Sequence, residues 1–228
     1  MDADPLFLRA FEIVGLSIYA AALIAALRRR HPVYLGLFFA CNTMIFWDWV
    51  FNCKWFFNVR FNENLTKLWT IHGESETLAG GLAFVAFYYW VFHLLWRHQA
   101  TLDAKLGNKQ FVVLYLAFMA YVLVFESLLI RNGLYRYYQK DEFLLFGATW
   151  SNLVFNANLS VGSYVALRQV RKWGKIPDAI PFDPRHEEFW KGFWMPGAAI
   201  WTAFWLSFVL QMIWYMNAQP WAAGPRAF

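Results

Sequence analysis

The chain has 228 residues, of which 60% are hydrophobic, 21% aromatic and only 15% charged, against roughly 45–50% apolar and about 25% charged for an ordinary soluble domain. A water-soluble globule of this size would expose a large share of its 24 Phe, 14 Trp and 11 Tyr, so the composition excludes that class, along with disorder, collagen-like repeats and disulfide scaffolds. The net charge of +5, from 20 Lys and Arg against 15 Asp and Glu, gathers at the ends of apolar runs, as in a polytopic helical membrane protein and unlike a nucleic-acid-binding surface.

Six apolar stretches are long enough to cross a bilayer, each needing about 20 residues: Leu6 to Leu27, Val33 to Phe57, Leu78 to Trp96, Phe111 to Ile130, Phe143 to Leu167 and Phe193 to Met216. The expected fold is therefore all-α, a single integral-membrane domain over residues 1–228 in a bacterial inner membrane or an ER membrane. The first stretch is kept as a true span because its basic cluster, Arg28 to Arg30, follows the apolar run, whereas a cleaved signal carries its basic residues in front. In the second, Cys41 and Cys53 stand roughly 18 Å apart on one expected helix, too far to bond to each other. Between the second and third, Leu65, Leu68, Trp69 and Ile71 recur at helical spacing, which predicts a short interfacial helix in the loop 58–77. The longest remaining connection, Arg168 to Lys191, contains Pro177, Pro181 and Pro184 and is too polar to insert.

Of the 20 basic residues, twelve fall on one face: Arg28 to Arg30, Arg97, Lys105, Lys109, Arg168, Arg171, Lys172, Lys175, Arg185 and Lys191. The positive-inside rule makes that face cytoplasmic and puts both termini on the other side. Trp69, Trp96, Tyr135, Tyr137, Tyr138, Trp173 and Trp190 lie at span ends and fit interfacial aromatic belts.

An ionisable group inside hydrocarbon is costly, so each one is a candidate functional residue. Glu12, Asp48, Asn52, Glu126 and Gln211 all fall in the outer halves of their spans, with Asn152 and Asn156 near mid-depth. Asp48 and Asn52 are four apart, as are Asn152 and Asn156, so each pair shares one helix face. Two such faces turned toward each other would line one polar pocket, walled by Trp47 and Trp49 beside Asp48, Trp150 beside the Asn pair, and Trp205 on the last span. An apolar pocket with a few convergent polar groups is the usual form of a small-molecule site. The competing reading is that Asn156 and Gln211 act only as glue between helices. In the outer loop, His72-Gly73-Glu74-Ser75-Glu76 is too compact to converge on a metal ion, so Glu74 and Glu76 are taken as further candidate acids at the mouth of the pocket. Bis-His haem ligation, di-iron hydroxylase chemistry, phosphate loops and nucleophile elbows find no support, and no cofactor or metal is expected.

Asn42 followed by Trp47-Asp48 resembles the Asn-x-x-Trp-Glu run in an early span of the small integral-membrane terpene cyclases of fungal meroterpenoid and indole-diterpene pathways. Here Asp replaces Glu, and two extra residues separate Asn from Trp. The likeness is confined to this run; that family has one span more and a second acid in a late span, where this chain has Gln211. The resemblance implies acid-initiated cyclisation of an isoprenoid. Independently, protonating an alkene or epoxide needs a carboxylic acid kept neutral by apolar surroundings, and aromatic faces stabilise the cation that results. Asp48 between aromatic residues has that form, with Glu74, Glu76 and Glu126 as the other candidate acids. A sterol or polyene isomerase would need the same features, so the expected partners are a hydrophobic small-molecule or lipid substrate and membrane lipids, with no nucleic acid and the oligomeric state open. The alternative is a non-catalytic membrane protein that binds a lipid, quinone or pigment, or serves as a subunit of a membrane complex.

Overall fold

The computed structural model describes residues 3–52, 58–138 and 144–218. Cys53, Phe57 and Phe143, which entered the sequence reading, lie outside the described residues. Eight α-helices carry most of the chain: α1 (Pro5–Arg28), α2 (Pro32–Thr43), α3 (Ile45–Asn52), α4 (Leu78–Arg97), α5 (Gln99–Leu106), α6 (Gln110–Arg131), α7 (Trp150–Trp173) and α8 (Glu187–Ala218). Five stretches are long and apolar enough to cross a membrane: Pro5–Arg28, Pro32–Val50, Leu78–Arg97, Gln99–Arg131 and Glu187–Ile213. They are compatible with an integral membrane protein.

Local signals set the helix ends. Asp4 accepts a hydrogen bond from the Leu6 amide at 2.9 Å, and Pro5, whose missing N–H costs nothing at a helix start, opens α1. His31 and Pro32 open α2 in the same manner. The second stretch is not one straight helix, because it breaks at Met44. Just before the break, Asn42 Nδ2 donates to the Phe38 carbonyl at 2.8 Å and Thr43 Oγ1 to the Ala40 carbonyl at 2.7 Å. Such side-chain bonds compete with the helical ladder and bend it.

Helix α7 is a departure from the six expected spans. At 24 residues it is ~36 Å long, yet it is too polar to rank with the five apolar helices. It packs against α6, α8 and α4, and Asn152, Ser160 and Ser163 are buried in those contacts. On the far side of the bundle α2 runs closely along α8. Gly36 allows this: a Cβ there would lie 2.0 Å from the Phe193 carbonyl oxygen.

The interfacial helix expected in the loop 58–77 is not formed; strands β1 (Val59–Phe61), β2 (Lys67–Ile71) and β3 (Glu74–Thr77) occupy it. The helical spacing of Leu65, Leu68, Trp69 and Ile71 is overridden by a two-residue turn at His72-Gly73, with φ of +51° and +80°. Positive φ at both positions matches the twist of an antiparallel hairpin, and β2 pairs with β3 across it. The fifth stretch differs for the same reason. A second turn at Phe146-Gly147, both at positive φ, joins β5 (Leu144–Leu145) to β6 (Ala148–Thr149), so α7 starts at Trp150, seven residues after the expected Phe143. Strand β4 (Tyr135–Tyr137) returns to pair antiparallel with β1, placing Val59 opposite Tyr137, Arg60 opposite Arg136 and Phe61 opposite Tyr135.

Candidate functional site

A cavity of about 320 Å³ lies between α1, α3, α4, α6 and α7 under the β1–β4 ladder. Alternation along the two strands builds its roof: Val59, Phe61, Tyr135 and Tyr137 line the cavity, while Arg60 and Arg136 between them are exposed. Successive strand side chains point to opposite faces, so the roof is apolar inside and charged outside. Phe11, Phe84, Phe87 and Phe155 supply aromatic walls.

Polar groups enter from three helices. Asp48 and Asn52 on α3, Glu126 on α6, and Asn152 and Asn156 on α7 all line this one cavity. The two i, i+4 faces expected to share a pocket are thus brought together. Asp48 and Glu126 are half-buried, their open surface being cavity wall. No Lys, Arg or His is among the lining residues, so neither carboxyl faces a counter-cation there among the described residues.

The two acids have different surroundings. Around Glu126 the donors form a directed chain. Tyr88 donates its hydroxyl to Asn156 Oδ1, Asn156 Nδ2 donates to Asn152 Oδ1 at 2.9 Å, and Asn152 Nδ2 donates to Glu126 Oε1. Tyr137 Oη donates to the other oxygen, Glu126 Oε2, at 2.8 Å. Every link points its hydrogens toward Glu126, so the chain of donors ends on that carboxyl and fixes its orientation.

Asp48 is instead backed by a second acid. Glu76 is fully buried on β3, close enough to Asp48 for the two carboxyls to interact. Burial and the nearby Asp48 charge push the Glu76 carboxyl well above the usual carboxylate range. Two close carboxyls cannot both ionise easily, so the pair favours holding a proton.

Several residues selected from the sequence stand elsewhere. Glu74 does not line the cavity; its backbone carbonyl accepts a 3.2 Å hydrogen bond from Trp49 Nε1, which ties α3 to the hairpin. Trp47 packs on Trp205 of α8 with ring centroids 4.7 Å apart. Trp150 is exposed, and Gln211 is buried in α8 away from the cavity lining. Glu12 accepts from the Thr66 amide at 2.6 Å and from Arg9, anchoring the loop 58–77 to α1. Among the described residues, no group of three His, Cys, Asp or Glu side chains is placed to hold a metal ion.

Tyr88, Tyr135 and Tyr137 are site residues that the sequence reading missed. The last two read as belt residues, but in Val59-Arg60-Phe61 and Tyr135-Arg136-Tyr137 a charge stands between two apolar residues, the period-two signature of a one-sided strand. No protein-family model, curated protein or solved structure matches the chain in comparisons with known proteins.

Proposed function

We propose that this protein is an intramembrane enzyme that cyclises or isomerises a hydrophobic isoprenoid by acid initiation, with α7 as a sixth crossing and both termini outside the cytoplasm. The observation that carries the reading is the placement of two unlike carboxyls, Asp48 and Glu126, on one aromatic-walled cavity without a facing cation. Asp48, on the cavity side of the acid pair it forms with Glu76, is the proton donor and draws on the proton that the pair holds. Its O–H proton adds to one carbon of a substrate double bond, the π pair forms the new C–H bond, and the neighbouring carbon becomes cationic. The faces of Phe84, Tyr88 and Phe155 stabilise that cation. Glu126, oriented by its donors, acts as the base and takes the proton lost when a double bond re-forms. The product is an isomer of the substrate, so no oxidant, reductant or bound cofactor enters the balance.

The test is turnover of prenols and cyclisable polyenes by protein reconstituted in phosphatidylcholine vesicles. Asp48→Asn keeps the size but removes the transferable proton and is expected to lower the rate by about 10²–10⁴, the usual worth of a general acid. Asp48→Glu should retain part of the activity. Absence of turnover with every isoprenoid tried, together with a stoichiometric co-purifying lipid or pigment, would establish the non-catalytic alternative. Topology is checked separately with reporter fusions at His98 and Gly174, both expected to read cytoplasmic.

A further inference from the structure

The roof separates the cavity from the aqueous side, because its inner face is Val59, Phe61, Tyr135 and Tyr137 and its outer face carries Arg60 and Arg136. The side wall is different. Ile18 on α1 and Tyr121 and Phe125 on α6 line the cavity, and the same three residues are 42%, 47% and 41% exposed. Helix α1 packs on α4 and α6 packs on α7, with no extended packing between α1 and α6. Rings of α4 and α6 meet beside this gap: Phe87 of α4 stacks on Tyr121 at 5.1 Å with the planes 1° apart, and Tyr121 stacks on Phe125 at 5.9 Å. Neighbouring outward residues on these helices, Val14, Val124 and Leu128, are highly exposed and apolar, as expected of surface bathed in lipid tails.

We infer that the space between α1 and α6 is a lateral portal, through which a linear isoprenoid enters from the bilayer head-first, leaving its tail among the lipids. This deepens the proposed function and rests on it for the substrate class. The rings of Phe87, Tyr121 and Phe125 close around the chain at the point where it passes from cavity to membrane. Only the end of the chain inside the cavity reaches Asp48 and Glu126, so the reaction is confined to one end of the molecule whatever the length of the rest.

The test reads position and needs no turnover. Protein in phosphatidylcholine vesicles is photolabelled with geranylgeraniol carrying a diazirine either at the hydroxyl end or at the far end, and labelled peptides are identified by mass spectrometry. The hydroxyl-end probe is expected to label cavity residues of α4, between Phe84 and Tyr88; the far-end probe should label the surfaces of α1 and α6 around Ile18, Tyr121 and Phe125, and the reverse pattern would overturn head-first entry. Ile18→Trp, at an exposed position that tolerates bulk, should cause loss of the cavity labelling, while Leu23→Trp, exposed on α1 but not lining the cavity, should leave it intact. Labelling of the roof strands or cavity interior by both probes would overturn the portal, as would undiminished cavity labelling in Ile18→Trp or no cavity labelling in the unsubstituted protein. Failure of the catalytic reading looks different: the labelling pattern holds, and Asp48→Asn neither changes it nor alters any turnover.

Discussion

Asn152 donates its amide hydrogen to Glu126, and Tyr137 bonds to both, receiving from Asn152 at 2.8 Å and donating to Glu126 at 2.8 Å. A carboxyl at the junction of two helices and a strand is thus secured from each of them. Removing one donor leaves a buried acceptor short of a partner, which costs about 1–3 kcal/mol. Asn152→Ala and Tyr137→Phe are each expected to destabilise the reconstituted protein on that scale in thermal unfolding. The double variant should lose less than the sum, because the two donors share one acceptor. Glu126→Gln should unfold near the unsubstituted protein yet lower turnover by about 10²–10⁴.

Packing on the opposite side of the bundle gives a second prediction. A Cβ at Gly36 would sit 2.0 Å from the Phe193 carbonyl oxygen, whereas one at Gly197 has nothing nearer than 3.5 Å. Backbone cannot swing aside as a side chain can, so Gly36→Ala forces α2 and α8 apart. A loss of about 1–3 kcal/mol or more is expected, and Gly197→Ala should be close to neutral. Unfolding of the two variants side by side in nanodiscs checks this.

Acidity provides a third. Glu76 has its carboxyl pushed well above the ordinary value of 4.5 by burial and by Asp48. The folded protein therefore binds a proton there that the unfolded chain releases, a contribution to stability that is full below about pH 4.5 and is lost as pH rises through the folded value. Glu76→Gln keeps an oxygen for the Thr77 amide, which Glu76 Oε1 now accepts at 2.9 Å, and cannot ionise. The melting temperature of Glu76→Gln should gain on that of the unsubstituted protein as pH is raised. A constant difference across the range would remove Glu76 as the titrating group.

Helix existence was legible from the sequence because continuous apolar runs such as Leu78–Arg97 admit no other structure in lipid. The convergence of Asp48 and Asn52 with Asn152 and Asn156 was also legible, since four-residue spacing fixes a common face and polar faces in a membrane turn inward. The strands were not. In residues 58–77 the decisive feature is the pair of positive φ angles at His72-Gly73, and a His-Gly pair is a weaker turn signal than Asn-Gly or Asp-Gly. Tyr135 and Tyr137 were misplaced because an aromatic residue at a span end suits an interfacial belt as well as a pocket. Only pairing with β1, distant in sequence, decides between them. Glu76 was identified as an acid, but its place behind Asp48 depends on the same hairpin.

The roof joins residues 59–61 to residues 135–137, so α4, α5 and α6 lie between its two halves in the chain. A nascent polypeptide emerging from the ribosome places α3, β3 and α4, and with them the Asp48–Glu76 pair, long before β4 exists to cover them. Asn152 and Asn156 are synthesised later still. The order of synthesis therefore assembles the two carboxyl environments at different times: the Asp48 side first and open to its surroundings, the Glu126 side last, with the arrival of α7. A chain arrested between Gly133 and Trp150 would hold its acid pair without the asparagine chain that completes the opposite wall.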